Sequence, residues 1–287
     1  MCAGVAASLF IAMDENRRVS ESRFEYARCG ECQTVFIIQP PHDLGRYYQD
    51  EYYKIPSLDG LEALAKKDVN KIETILRFAQ KGRLLEVGPA MGVFAWQAKQ
   101  AGFTVDVVEM DSRCCEFLSG SVGVNVFQSN TPDAAIQAMP EHDVIAIWHV
   151  LEHLPDPFAF LRAAAANLVT GGVLVIAMPN PASLQFRIMG VHWPHLDAPR
   201  HLTLIPVTAL GRKASELGLE EIFLTSDDAD ARSWNRFGWQ RLLMNRFNGK
   251  FMQGVMQILG YLISLTLAPF DRRSFNGSAY TIVFRKK

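Results

Sequence analysis

Cysteine is sparse and irregular in this chain: five residues, Cys2, Cys29, Cys32, Cys114 and Cys115, at no regular spacing. That excludes the disulfide framework of a small secreted domain and favours a reducing, cytoplasmic setting. Neither sign of charge dominates. The net charge is −1 over 287 residues, so no global basic field points to nucleic acid. The apolar stretch from Cys2 to Met13 lacks a basic start, and a leader peptide is not expected. No uncharged stretch reaches the roughly twenty apolar residues of a spanning helix. There is no internal repeat and no low-complexity segment. What is present, 49% hydrophobic and 21% charged residues, suits one large or two small globular domains with a substantial core.

The most informative stretch is LLEVGPAMGVF, Leu84 to Phe94. Leu84, Leu85 and Val87 make the apolar run of a buried parallel strand. Gly88 to Gly92 is a small-residue turn, and Val93 onward has helical composition. Such a turn presents backbone N–H groups and a helix N-terminus to a ligand. A phosphate-binding P-loop would need Gly-Lys-Ser/Thr here, and there is none. A dinucleotide fingerprint would need a glycine at Val93. An acidic-x-G-x-G-x-G pattern fits with Glu86, Gly88, Ala90 in the middle glycine's place, and Gly92. A carboxylate at the strand end repels a pyrophosphate and suits the cationic amino-acid end of S-adenosylmethionine. The next apolar strand, TVDVVEM, ends in Glu109, about twenty residues on, where an α/β nucleotide site puts its ribose-binding acid.

With HDVIAIWHVLEHLPDP (His142 to Pro157) and, later, PN, W and PRHL, the chain resembles class I S-adenosylmethionine-dependent methyltransferases, from about Phe24 to the C-terminus. The resemblance implies a Rossmann-like α/β sheet of seven strands, the last antiparallel. It implies S-adenosyl-L-methionine as cofactor, held by Glu86, Gly88, Ala90, Gly92, Glu109, Met110, Asn130 and His149. Asn130 stands where relatives often carry an adenine-binding acid. Ubiquinone-pathway O-methyltransferases hold a divalent ion in the stretch containing His149, Glu152 and His153. Here the first of those positions is a histidine rather than an acid, which weakens hard-metal ligation, and no metal is expected. His201, beside Arg200 in the insertion at residues 182–205, is the candidate general base, the arginine serving as an anion clamp. His153 is the second catalytic candidate. For each of these histidines a purely structural role stays open.

Around that core, residues 1–57 read as a degenerate zinc ribbon, with Cys29 and Cys32 forming a knuckle whose other pair is reduced to Cys2. The tyrosines Tyr47, Tyr48, Tyr52 and Tyr53 lie near the mouth in relatives. Apolar spacing predicts one helix over 58–80. The core spans 58–230 and its final strand 274–287. Between them, 231–273 forms a basic and apolar helical insertion. Ala231 to Phe270 has no acidic residue, and its arginines are interleaved with Trp234, Phe237 and Trp239. That composition suits contact with an anionic membrane surface, a lid, or an oligomer contact. The expected activity is methyl transfer to a small-molecule, sugar or lipid-linked acceptor, on oxygen or carbon. The alternative is a non-catalytic cofactor-binding assembly protein.

Overall fold

A computed structural model describes residues 4–48, 54–273 and 275–287. Cys2, Tyr52 and Tyr53, named above, lie outside the described residues.

The chain begins with three antiparallel strands, β1 (Ala6–Ala12), β2 (Phe24–Cys29) and β3 (Val35–Ile37). Two short helices follow, α1 (Leu58–Ala65) and α2 (Asn70–Leu76), where the spacing predicts one. The break falls at Lys66–Val69, and Gln97 fixes it by donating to the carbonyls of Ala65 (2.7 Å) and Asp68 (2.6 Å).

Strand and helix then alternate: β4 (Arg83–Val87), α3 (Val93–Gln100), β5 (Thr104–Glu109), α4 (Ser112–Phe117), β6 (Asn125–Gln128), α5 (Pro132–Gln137), β7 (His142–Trp148), α6 (Pro157–Asn167) and β8 (Leu168–Pro179). The insertion carries α7 (Leu184–Met189) and β9 (Thr203–Leu204). Then come α8 (Val207–Glu216), β10 (Leu219–Thr225), α9 (Ala229–Met244), α10 (Lys250–Asp271) and β11 (Ala279–Lys286).

The main sheet has the order β10-β11-β8-β7-β4-β5-β6. β6, β5, β4, β7 and β8 run parallel, and β11 is antiparallel to both of its neighbours. Its central strands are apolar on both faces because helices cover both, so β4 and β7 read as continuous runs rather than alternating ones. The carboxyl ends of β4, β5 and β7 meet at one edge, where an open parallel sheet binds its ligands.

The second sheet explains the N-terminal segment. β3 pairs with β9, joining the insertion to the first strands in the order β1-β2-β3-β9. These strands share one core with Trp193 and Leu196 of the insertion and Trp239 of α9. Cys29 and Cys32 sit at the β2–β3 turn, where the Cys32 thiol donates to Thr34 Oγ1 at 3.2 Å. The two cysteines thus stand on an antiparallel hairpin that is joined to the insertion through β9.

Candidate active site

At the β4 edge the turn is left-handed at three alternate positions: φ is 68° at Gly88, 51° at Ala90 and 78° at Gly92. A Cβ on Gly88 would meet Val150 Cγ2 at 2.6 Å, and one on Gly92 would meet Leu118 Cδ2 at 2.5 Å. Both glycines are demanded by packing as well as by conformation. Ala90 has the same handedness without that crowding, and its N–H donates to Glu109 Oε2 at 3.0 Å.

Glu109, at the end of β5, is 3% exposed. Its Oε1 also accepts from the backbone N–H groups of Met110 (2.7 Å) and Asp111 (2.9 Å). The predicted ribose acid is thus also the clamp that ties the glycine turn to the neighbouring strand. Three of its roughly four acceptor positions are in use, which leaves room for a hydroxyl. Met110 stands out from the edge at 56% exposure, available to lie on a flat ring. Asn130 is exposed just beyond β6.

Glu86 is the observation that fits a cationic ligand. Its side chain is buried and its Oε2 has no hydrogen-bond partner. Burial, reinforced by the charge of Glu109, pushes its pKa up to about 8 despite the opposing effect of Lys71. A buried, orphaned carboxyl oxygen beside a helix-opening turn is what the ammonium of S-adenosylmethionine needs.

The histidines gather a short distance away. A cavity of about 620 Å³ is lined by side chains that include His149, His153, His195 and His201. His149 follows β7 with φ 55°. Its Nε2 meets Asp230 Oδ2 at 2.5 Å, and its Nδ1 lies 3.7 Å from Glu152 Oε1. Burial would lower its pKa, but the charge and hydrogen bond of Asp230, with Glu152 behind, lift it to about 9. His149 is accordingly an imidazolium at neutral pH. It stacks on Trp234 with ring centroids 4.0 Å apart. The structure thus sets His149 on the cavity side, paired with α9.

His201 is held from three sides. Tyr26 of β2 donates to its carbonyl at 2.9 Å. Its Nδ1 lies 2.8 Å from the His195 carbonyl, which can only accept, so Nδ1 carries the proton and Nε2 the lone pair in the neutral ring. Nε2 is 3.9 Å from Glu152 Oε1. His153 is arranged alike, with Nδ1 2.9 Å from the Arg200 carbonyl and 2.8 Å from Tyr48 Oη. Burial and the neighbouring His201 lower its pKa to about 4. His195 is lowered to about 3, chiefly by burial.

Glu152 is fully buried with no hydrogen-bond partner on either carboxyl oxygen. Burial alone would raise its pKa, yet the surrounding imidazoles reverse that and hold it low. Glu152, His153 and His201 bring one ligand atom each within 4.8 Å of one another. This donor set can hold a proton or a divalent cation.

Arg200 departs from the clamp expected beside His201. It is 0% exposed and is bound by Asp197 and Asp14 at 2.7–2.8 Å. Its charge locks the N-terminal segment onto the insertion and offers nothing to a ligand. Trp234 and Trp239 depart from an interfacial placement too. Trp234 stacks inside the cavity, and Trp239 is buried with its Nε1 donating to Asp271 at 3.0 Å. Asp230 and Asp14 were not singled out from the sequence. Each sits in an unremarkable local context and acquires its role from a partner more than eighty residues away.

The methyltransferase domain family profile matches residues 59–222. A ubiquinone biosynthesis O-methyltransferase of Bordetella avium is 28% identical over 171 residues, 56% of this chain and 71% of that protein. One of Pseudomonas fluorescens is 30% identical over 139 residues, 46% of this chain and 60% of its own length. Among solved structures, a SAM-dependent methyltransferase from Archaeoglobus fulgidus has the same fold, with TM-score 0.51, 20% identity and coverage of 79% of this chain and 94% of that one.

Proposed function

The chain belongs to the methyltransferase-domain family, as a class I enzyme with S-adenosylmethionine as its cofactor, and from that premise we propose that it methylates a hydroxyl oxygen of a small or lipid-linked acceptor. The observation that carries this reading is His201: a buried imidazole whose Nδ1–H is committed to a backbone carbonyl and whose Nε2 stands beside the Glu152 carboxylate, in the wall of the cavity. The names of the matched relatives, both O-methyltransferases, favour oxygen over carbon.

When bound, the cofactor supplies an electrophilic methyl on a sulfonium. Glu86 would pair with its ammonium, Glu109 with a ribose hydroxyl, Met110 and Asn130 with its adenine, and the Gly88–Ala90–Gly92 turn would seat it. In-line displacement makes positioning the largest contribution. Nε2 of His201 takes the proton as the acceptor oxygen attacks, and the buried Glu152 carboxylate stabilises the resulting imidazolium. His153 holds Tyr48 and the insertion in place. His149, already protonated, adds a positive charge near the developing anion.

Delivery from an anionic membrane at the inner face of the cell completes the reading. α10 is 22 residues long and apolar enough by length and composition to cross a membrane, and only 11% of its apolar window is buried. By length and composition it corrects the expectation that no uncharged stretch reaches a spanning helix. Its pattern is inverted. Gly260 and Ser264 face the protein, whereas Phe251, Ile258, Leu262, Leu265 and Phe270 are 51–83% exposed. Small residues inward and large apolar residues outward suit a helix seated in lipid. Exposed Arg236 and Arg246 supply the attraction to an anionic surface.

Two measurements test the proposal. Purified protein with S-adenosylmethionine and a panel of phenolic and lipid-linked alcohols should yield O-methyl product, and His201→Gln should lower kcat by about 10²–10⁴-fold with cofactor affinity unchanged. A variant with wild-type kcat removes His201 as the base. Anionic vesicles should sediment the protein, and Phe251→Asp with Ile258→Asp should leave it in the supernatant. Equal sedimentation of that double variant removes α10 from the membrane.

A further inference from the structure

His195 has one end on His201 and the other on the wall of the cavity. Its backbone carbonyl lies 2.8 Å from His201 Nδ1 and accepts the proton held there. Its ring Nε2 lies 2.9 Å from the Trp234 carbonyl of α9. That oxygen can only accept, so the proton of the His195 ring sits on Nε2. The same ring stacks on the Trp234 indole, with centroids 4.4 Å apart. His149 covers the other face of the indole at 4.0 Å, so Trp234 is held between two imidazoles. Burial pushes the His195 pKa down to about 3, and the ring is neutral at neutral pH.

The segment joining the two histidines is stiff. Asn16 donates to the Pro194 carbonyl at 2.7 Å and to Asp197 Oδ1 at 2.6 Å. Asp197, with φ 39°, also receives the Arg200 guanidinium, and its carbonyl accepts the Arg200 N–H at 2.8 Å. Tyr26 fixes the His201 carbonyl beyond. On the other side, α9 comes close at Gly238. A Cβ there would clash with Gln185 Oε1 and lie 3.2 Å from His195 Nε2. Gln185 in turn donates to the Asn235 carbonyl at 2.6 Å. Two successive carbonyls of α9 are thus taken by side chains of the insertion. A glycine inside a helix is unfavourable on propensity, and this close approach is the reason for it.

We propose that His195 is a positioning residue for the methyl transfer, coupling the α9 wall of the cavity, Trp234 and Phe237, to His201. This rests on the reading of the cavity as the acceptor site and of His201 as its base. No proton passes through His195, because its Nε2–H is committed to a carbonyl. Its part is geometric. The hold on α9 keeps the His195 carbonyl in line with His201 Nδ1, and that bond keeps the lone pair of His201 on Nε2, ready for the acceptor's proton. An acceptor body resting on Trp234 and Phe237 therefore bears on the aim of the base, and this wall enters the rate as well as the affinity.

Nuclear magnetic resonance of the full chain with 15N-labelled histidine reads the tautomer of His201 directly. The chain has seven histidines, and the His201 signals are those that vanish in His201→Gln. On the alkaline side of its titration, a fixed tautomer gives two ring nitrogens with well-separated shifts, and exchange between tautomers draws them together. Three variants are compared with wild type. Gly238→Ala displaces α9 from Gln185 and His195, the side chains its Cβ would meet. His195→Leu removes the Nε2–H donor. His195→Gln keeps an N–H donor in nearly the same place. The coupling predicts signals that stay apart in wild type and in His195→Gln and converge in Gly238→Ala and His195→Leu. Binding of S-adenosylhomocysteine is measured in every variant as the check on fold. Where Gly238→Ala no longer binds it, the contrast between His195→Leu and His195→Gln decides. His201 signals as well separated in the altered variants as in wild type overturn the coupling and leave the methyltransferase reading in place. Undiminished kcat in His201→Gln would instead remove the base, and failure of wild type to bind S-adenosylhomocysteine would remove the cofactor reading.

Discussion

His149 and Asp230 form a 2.5 Å pair between the end of β7 and the first turn of α9, and through it the α9 wall of the cavity is fastened to the main sheet. The pair makes a charge-dependent latch. Burial opposes the imidazolium, and Asp230 more than reverses that effect.

The first prediction is a pH dependence. The His149 pKa is raised from 6.5 to about 9, so its contribution to stability is complete below about pH 6.5 and is lost as pH rises through about 9. Melting temperature should fall across that window, and Asp230→Asn should flatten the fall while lowering the melting temperature at pH 7. An unchanged slope in Asp230→Asn would show that the pair does not carry it.

Glu86 gives a second. With a pKa of about 8 in the free protein, it is mostly protonated at pH 7. Pairing with the ammonium of S-adenosylmethionine favours the carboxylate, so binding should release close to one proton, about 0.9 from the titration relation. Calorimetry in two buffers of different ionisation enthalpy measures this directly. Proton uptake, or none, would detach Glu86 from the cofactor's amino group.

Glu109 does two jobs, and two substitutions separate them. Glu109→Ala removes the acceptor of three backbone N–H groups, so it should lose cofactor binding and also lower the melting temperature. Glu109→Gln keeps a carbonyl oxygen for the clamp and should weaken binding by about ten- to a hundredfold with a smaller loss of stability. Equal melting temperatures for the two variants would refute the clamp.

Gly260 tests the α9–α10 contact. A Cβ there would lie 2.5 Å from Gln240 Cα and 2.8 Å from the Trp239 carbonyl, both backbone atoms that cannot step aside. Gly260→Val should force the helices apart and destabilise the protein by about 1–3 kcal/mol. A chemical denaturation curve matching wild type would mean that α10 does not need this close approach.

The parallel core was readable because both signals it depends on are local: apolar runs four to seven residues long, and small residues at the turn. The strands that end at Val87 and Glu109 follow directly from such patterns. The split of α1 from α2 was not readable, because Gln97, far along the chain, captures the carbonyls at the break. Arg200 was misread for a related reason. Arginine beside histidine looks like an anion site until Asp14, contributed by the first twenty residues, takes its charge. Trp234 and Trp239 carried an interfacial composition, yet their partners lie in the insertion and in α10. Composition reports what a segment can do, and the contacts that choose among those options are distant in sequence.

The cavity crosses the limits of the family match. Asn16 and Arg17 precede residue 59, and Ser233, Trp234, Phe237 and Arg241 follow residue 222, so half of the twelve described residues around the cavity proposed above as the acceptor site lie outside the matched region. Likeness to other methyltransferases therefore informs the donor half of the reaction and is nearly silent on the recipient. Two chains could share residues 59–222 almost unchanged and modify unrelated compounds. The region to compare when sorting close relatives by substrate is the pairing of the first twenty residues with α9, because drift there would change the chemistry served before the core records any difference.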